Sequence, residues 1–361
     1  MHAVHLTADR RDEWDRFVAQ DKFFAHLQSW EWGEFKALLG WQPARLGVEH
    51  EGRLVAGAQL LIKIIPLGLA SFVYVPRGPL VDWSNQPVTT CLLEAIHQVA
   101  RQQRAIFLRL EPPLEDSPAT HAWLQHYGFQ PHPHTNQPRC TLIVDLTPGP
   151  EELFNRLSKS TRKKVRAAQN KGVQIRTGHE NDLDTFLRIM ESTGKRADFP
   201  IRSRKYYTHE FQLFLQAGRA RLALATYQGV DVAVDMTFTF GRQAASFHGG
   251  FVSEFPHLKI NHALVWDTIC WAHQQGCHSF DLWGIPSEIG ELAATGQPLP
   301  ENRYDGLWGV YHFKRAFSQQ IVYYVGAYDY VYNPLLYRAT TLAAARFGSL
   351  DQVAKLADRL F

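Results

Sequence analysis

The sequence predicts an α+β (mixed α/β) protein built from two similar domains, each a mixed, mostly antiparallel sheet flanked by helices. Three observations carry this expectation. The chain has 361 residues, more than one core comfortably fills, and two domains of about 100 to 200 residues fit that length. Two hairpins share one signature, a polar residue followed by glycine between strand-like runs, at Glu51-Gly52 and at Gln228-Gly229. The elements that follow each hairpin come in the same order, with a period of about 175 residues that marks a duplicated unit.

Residues 46–65 read as the strands GVEH and RLVAGAQLLIKII, and residues 221–240 as LALATY and VDVAVDMTFTF. Each hairpin is followed by a short strand, SFVYVP at 71–76 and AASFHGG at 244–250. Then comes a stretch with apolar residues at helical spacing, Val88 to Gln103 in one copy and Asn261 to Gln275 in the other. A strand follows each helix, AIFLRLEP from Ala105 and HSFDLWGIP from His278. Each copy closes on a helix and a strand: HAWLQHYGFQP before CTLIVDL, and WGVYHFKRAFSQ before IVYYVGAYD.

Between the copies, Glu151 to Gly172 reads as one helix, opened by Thr147-Pro148 and closed by Gly172. At helical spacing Lys159, Arg162, Lys163 and Arg166 share the face opposite Leu153, Leu157 and Ala168, and no acidic residue occurs between Asn155 and Lys171. A solvated outer face usually mixes both signs. A face with cations alone suits a phosphate backbone, whose attraction is Coulombic and indifferent to sequence, and these four residues are read as a tRNA contact. A further helix is predicted over Leu183 to Ser192, followed by a polar loop.

Composition narrows the function classes. Hydrophobic residues make up 45% and charged residues 20%, as in ordinary globular proteins, and 10 Trp, 13 Tyr and 22 Phe point to thick cores. The four cysteines form no CxxC pair and no ligand spacing with histidine, so neither a zinc site nor a disulfide framework is expected. The first residues carry charges where a signal peptide needs an apolar run, and no stretch is apolar for the length of a bilayer. A reduced, cytoplasmic location is expected. The formal charge of +3 is too small to argue for nucleic acid without local clustering. No Gly-x-Ser-x-Gly turn, cysteine–histidine pair or metal motif stands out.

The repeated order of elements resembles the fold of the GCN5-related N-acetyltransferases, and LQHYGFQ has the look of that fold's closing turn. The Arg/Gln-x-x-Gly-x-Gly/Ala loop that holds the pyrophosphate of coenzyme A is missing from both copies. Tandem acetyltransferase-like (GNAT-like) domains without that loop resemble the FemABX peptidyltransferases. Local motifs agree: LQSWEWGEFK (27–36), YVPRGPLVD (74–82), RKKVRAAQNKGVQIR (162–176), TGKRADF (193–199), HGGFVSE (248–254) with Trp266, FDLWGIP (280–286), YHFKRAF (311–317) and YVGAYDYVYNPLLY (324–337). They cover nearly the whole chain except the tail from about Arg338. The long coiled-coil insertion of the staphylococcal members is lacking, so the chain looks closer to the shorter type that uses the soluble nucleotide precursor.

The resemblance implies an aminoacyltransferase that moves an amino acid from aminoacyl-tRNA to the stem-peptide amine of a UDP-linked or lipid-linked peptidoglycan precursor, with no cofactor and no metal. It implies that Lys36 binds the precursor's diphosphate, and that Arg196, with Thr193 in a Thr-x-x-Arg motif, supplies a second cation for it. Of the adjacent Tyr206 and Tyr207, Tyr207 is taken to line the same groove. Glu111 matches an acidic position facing the acceptor peptide, where as a catalytic residue it would hold the cationic amine or help deprotonate it, and Lys314 lies where the two substrates meet, either at the oxyanion or at the terminal tRNA phosphate. His248 is read as structural. The expected domains are 1–145 plus about 318–361, and 146–317. Two other readings stay open: an acyltransferase of the same fold with another donor or acceptor, and a non-catalytic RNA-binding protein.

Overall fold

The computed structural model describes residues 1–65, 68–197 and 200–347. They form two units, Met1–Gln137 together with the chain from Tyr324 onward, and Pro138–Tyr323.

The first unit is a seven-stranded sheet in the order His2–His5, Gln42–His50, Arg53–Ile64, Ser71–Pro76, Ala105–Glu111, Ala327–Val331, Gln130–His132. Neighbours are antiparallel except Ser71–Pro76 and Ala105–Glu111, which run parallel. The connection between those two is the helix Gln86–Gln102, capped by Asn85, whose side chain accepts from the Val88 amide. Its residues Leu92, Ile96 and Val99 pack with Leu60, Val73 and Leu108 of the sheet, each such side chain contributing about 1.5 to 3 kcal/mol by leaving water. Ala105–Glu111 is buried at every position. Its one cation, Arg109, is matched inside the sheet by Asp329 of the neighbouring strand, with Nε and Nη2 each 2.7 Å from a carboxylate oxygen.

The second unit repeats the plan: Gln320–Tyr323, Cys140–Asp145, Ser279–Asp281, Gln243–Phe251, Val230–Phe240, Ala220–Tyr227, Gln174–Thr177. Here the parallel pair is Gln243–Phe251 with Ser279–Asp281. Both hairpins turn through two residues with positive φ, Glu51 (51°) and Gly52 (73°), Gln228 (51°) and Gly229 (78°), as a two-residue connection between right-twisted strands requires.

The two copies exchange their closing strands. Cys140–Asp145, which ends the first repeat in sequence, pairs with Ser279–Asp281 and Gln320–Tyr323 of the second sheet. Ala327–Val331, which ends the second repeat, pairs with Ala105–Glu111 and Gln130–His132 of the first. The unit boundaries therefore fall at 137/138 and 323/324, not at 145/146 and 317/318, because the strand at 140–145 finds its hydrogen-bond partners in the later sheet.

Three predicted elements differ in extent. The single helix over 151–172 is two, Pro150–Arg156 and Lys159–Asn170. Leu157 between them is extended (ψ 148°), and the Ser158 hydroxyl accepts from the Thr161 amide, starting a new helix; a serine with a free turn ahead of it competes with helix continuation in this way. The helix predicted to stop at Ser192 runs from Leu183 to Ala197. The strand predicted from His278 is only Ser279–Asp281, because Trp283 adopts left-handed φ (62°) and turns the chain out of the ladder.

Candidate functional site

The parallel pair in the second unit is matched only over Gln243↔Ser279, Ala244↔Phe280 and Ala245↔Asp281. Beyond it Gln243–Phe251 continues with a bulge, where Met236↔His248 and Thr237↔Ser246 leave Phe247 without a register partner. The other strand turns away at Trp283. Where the two part, the Trp283 ring stacks on Phe247 with centroids 4.1 Å apart and planes 26° from parallel. The turn is held by Asp281, whose Oδ1 accepts from the Trp283 amide at 2.7 Å and from the Thr141 hydroxyl.

Lys314 ends the helix Trp308–Lys314 beneath this turn. Its ammonium donates to the carbonyl oxygens of Trp283 (3.1 Å) and Gly284 (2.9 Å). The left-handed Trp283 is what orients those carbonyls. Burial lowers the Lys314 pKa to about 8, against the pull of Asp281 and Asp235, which favour the charged form. Asp235 is itself buried, which raises its pKa, while hydrogen bonds from the Ser246 (2.5 Å) and Thr237 (2.6 Å) hydroxyls lower it. The outcome is a fixed cation with two of its three N–H groups committed to backbone, flanked by two carboxylates that are themselves satisfied. Such a group can donate its remaining N–H to a developing negative charge at little reorganisation cost.

Thr193 and Arg196 both grip the end of Gln243–Phe251. The Thr193 hydroxyl donates to Phe251 O (3.2 Å) and accepts from Phe251 N (2.9 Å). Arg196 donates through Nη1 to Phe251 O (2.9 Å) and lies 4.0 Å above the Phe251 ring. Gly250 permits the approach, since a Cβ there would stand 2.8 Å from Thr193 Oγ1. Partial burial lowers the Arg196 pKa, opposed by Glu254. Arg196 remains exposed with further donors beyond the one it uses.

Tyr207 belongs to the core: it is 1% exposed, edge-on to Phe186 and to His248, so it offers no face to a groove. Its half-buried neighbour Tyr206 is the more accessible ring. His248 pairs with Glu210, Nε2 to Oε2 at 3.0 Å, and Glu210 is wholly buried.

In the first unit, the helix Trp30–Ala37 starts at Ser29, whose hydroxyl accepts from the Trp32 amide, and buries Trp30, Trp32 and Phe35. Lys36 is left half-buried with its ammonium 5.2 Å from the Trp41 ring centroid. Glu111 is 3% exposed. Its oxygens accept from the amides of Asn136 (2.6 Å) and Gln137 (2.9 Å) and from the Tyr74 hydroxyl (3.0 Å). Burial raises its pKa, and those donors together with the charge of Arg77 offset only part of the rise. Glu111 thus fastens the chain at 136–137, and its oxygens are occupied.

On Lys159–Asn170 the side chains of Thr161, Val165 and Ala168 face inward. Lys159, Lys163 and Arg166 are exposed and Arg162 is half-buried, so the four cations share the outer face even though the helix is shorter than predicted. Two have further work: Arg162 Nη1 donates to the carbonyls of Asn155 (2.7 Å) and Leu157 (2.6 Å), and Arg166 lies 5.0 Å from the Phe154 ring. The structure therefore brings Lys314, Arg196 and the basic helix into one unit, and Lys36 and Glu111 into the other. Sequence reasoning missed Asp235, Asp281 and Trp283. Asp281 and Trp283 lie in FDLWGIP, but nothing local marks a tryptophan for left-handed backbone. Among the described residues no group of three or more His, Cys, Asp or Glu could hold a metal, and no helix is long and apolar enough to cross a membrane.

Two acetyltransferase-like units, with a cation fixed where the strands of the second one part, define a tandem member of the acyltransferase fold class. The sequence pattern of the FemAB family matches residues 10–122, 119–228 and 226–345, and the chain belongs to that family. The lipid II:glycine glycyltransferase of Staphylococcus aureus (strain MRSA252) is 23% identical over 94% of this chain and 94% of its own. The crystal structure of FemX superposes with a TM-score of 0.81 at 21% identity, over 94% of this chain and 99% of that one. A tandem GNAT protein from the clavulanic acid biosynthesis pathway superposes at 0.52 and 11% identity, over 91% of this chain and 98% of its own.

Proposed function

We propose that this chain is an aminoacyltransferase that moves an amino acid from aminoacyl-tRNA onto the stem-peptide amine of a peptidoglycan precursor, in the cytoplasm where charged tRNA is found. The observation that carries the reading is the ammonium of Lys314, fixed on the carbonyls of Trp283 and Gly284 in a chain of the FemAB family.

The acceptor amine attacks the carbonyl carbon of the ester joining the amino acid to the tRNA ribose. An amide C–N bond forms, the C–O bond breaks, and the ribose hydroxyl leaves with a proton while the amine loses one. Between these events the former carbonyl oxygen carries negative charge, and the remaining Lys314 N–H donates to it. No protein nucleophile is needed because the ester is already activated, and no cofactor enters. Lys36 and Arg196 each supply a cation for the precursor's phosphates, the exposed face of Lys159–Asn170 holds the tRNA backbone, and Glu111 positions the chain around residues 136–137 instead of touching substrate.

The test is transfer of a labelled amino acid, across a panel of charged tRNAs, to the UDP-linked and the lipid-linked precursor. Amide product with at least one tRNA is expected. Transfer from an acyl thioester, with none from any charged tRNA, would overturn the reading.

A further inference from the structure

One end of the first sheet is apolar and cationic at once. The chain passes it in four segments, 36–41, 63–71, 101–106 and 332–347, which hydrogen bonds tie together. Lys63 Nζ donates to Gly40 O (3.2 Å), Ser71 N to Arg104 O (3.1 Å), and Asn333 N to Ile106 O (3.1 Å). Leu38, Ile64, Leu69, Leu335, Leu336 and Leu342 are all exposed on these segments. The helix Pro334–Phe347 inverts the usual pattern. Its inner side carries Tyr337, which donates to Asp329 (2.7 Å) and meets Phe107 edge-on, and Thr340 and Thr341, whose hydroxyls donate to Tyr337 O. Leu335 and Leu342, two turns apart and so on one face, are 79% and 72% exposed. The cations here include Lys36, Lys63, Arg101, Arg104 and Arg338, and none of the four segments holds an acidic residue. Glu34, the acid nearest in sequence to Lys36, is 3.4 Å from Arg45.

We propose that this end of the first unit is a membrane-docking surface, which lies on an anionic bilayer with its aliphatic side chains at the boundary of headgroups and acyl chains and its cations on lipid phosphates. Exposed leucines set among lysine and arginine are the make-up of an element that lies in the interface without crossing it. Two observations favour a bilayer over a second copy of the chain. A surface with cations and no acids repels its own copy. A protein interface gathers aromatic rings and sheds lysine, whereas the six exposed apolar side chains here are all aliphatic. The inference rests on the precursor reading above and deepens it. Rings in contact run from Tyr337 through Phe107 and Phe72 to Trp41, and the Lys36 ammonium is 5.2 Å from the last of them. The cation assigned to the precursor's phosphates therefore stands on the docking side, and the acceptor it meets there is the lipid-linked form.

The experiment floats the full chain with vesicles of phosphatidylglycerol and phosphatidylcholine, and with vesicles of phosphatidylcholine alone, across a salt series. The same assay is run on Leu335→Ser with Leu342→Ser and on Arg101→Gln with Arg338→Gln. Melting temperature checks the fold, and Leu335→Ala alone serves should the leucine variant melt early. The full chain should bind the anionic vesicles and leave the neutral ones. The leucine variant should bind about tenfold more weakly, and the arginine variant should lose part of the salt dependence. Transfer to lipid-linked precursor in those vesicles should fall with binding in the leucine variant, while transfer to the UDP-linked precursor, measured alongside, should not. No vesicle binding by the full chain, or undiminished binding by both variants, would overturn the docking surface and leave the aminoacyl-transfer reading intact. Vesicle binding with transfer to the UDP-linked precursor alone would sink the lipid-linked acceptor. Binding with transfer to neither precursor would overturn the acceptor reading and not the surface. A dimer in light scattering that the leucine variant splits, with vesicle binding unchanged, would give this face to a second copy and overturn the proposal.

Discussion

The Lys314 ammonium stands 2.9 Å from the carbonyl oxygen of Gly284, one residue beyond a tryptophan held in left-handed backbone. A lysine so placed is a fixed charge, not a mobile surface group. Lys314→Met keeps most of the stem and removes the cation, so the single-turnover rate with both substrates saturating should fall by about 10² to 10³, the worth of one oxyanion donor. A normal rate with weakened tRNA affinity would reassign Lys314 to donor binding.

The same lysine sets a pH dependence. Its pKa is lowered to about 8, chiefly by burial, and only the protonated form brings a positive charge to the oxyanion. The transfer rate should therefore decline as pH rises through about 8. Asp235 holds that pKa up, so Asp235→Asn should move the decline to lower pH. Lys314→Arg, charged throughout this range, should abolish it. A decline at unchanged pH in both variants would assign it to another group.

Lys36→Met and Arg196→Met should each weaken precursor binding in calorimetry by about 1.5 to 3 kcal/mol, the value of a charge-assisted hydrogen bond. Arg196 also holds Phe251 O, so its variant should in addition melt slightly earlier, whereas Lys36→Met should not. Full affinity in both variants would remove these residues from the precursor site.

On the basic helix the four cations should separate into two kinds. Lys159→Met with Lys163→Met should flatten the salt dependence of tRNA binding by about 0.9 for each duplex phosphate no longer neutralised, with turnover at saturating tRNA little changed. Arg162→Met should cost about 0.5 to 1.5 kcal/mol of stability in urea unfolding, since the carbonyls of Asn155 and Leu157 lose their side-chain donor at a site open to water. An unaltered salt slope in the lysine variant would make that face a solvated one.

Arg109→Met should destabilise the first unit by about 3 to 5 kcal/mol, because it leaves Asp329 buried without its cation. Among the described residues Asp329 then keeps only the Tyr337 hydroxyl at 2.7 Å. Denaturant unfolding followed by tryptophan fluorescence measures the loss; a change below about 1 kcal/mol would mean that water reaches the pair.

The repeated plan was legible in the residues alone. Period-two and helical patterns are local, and the positive φ required at Gly52 and Gly229 is written in the residue type, so hairpins, helices and their order could be read without neighbours. The cationic row of Lys159, Arg162, Lys163 and Arg166 was legible too, since spacing alone sets which residues share a helix face, and that row outlived the break at Leu157.

The return of the closing segment to the first domain was expected, but the transfer of CTLIVDL to the second sheet was settled only on folding, because an apolar strand pattern does not say which sheet it joins. Their partners, 140 residues apart for Thr141 with Asp281 and 220 for Arg109 with Asp329, become neighbours only in the folded chain. The setting of Lys314 was hidden for the same reason. YHFKRAF names the lysine, but its lowered pKa depends on burial under Trp283 and on two carboxylates from distant strands, and the exposure of Tyr206 over Tyr207 depends on which side of one short helix meets Phe186. Side-chain identity is local; desolvation and the distances between charges belong to the folded whole.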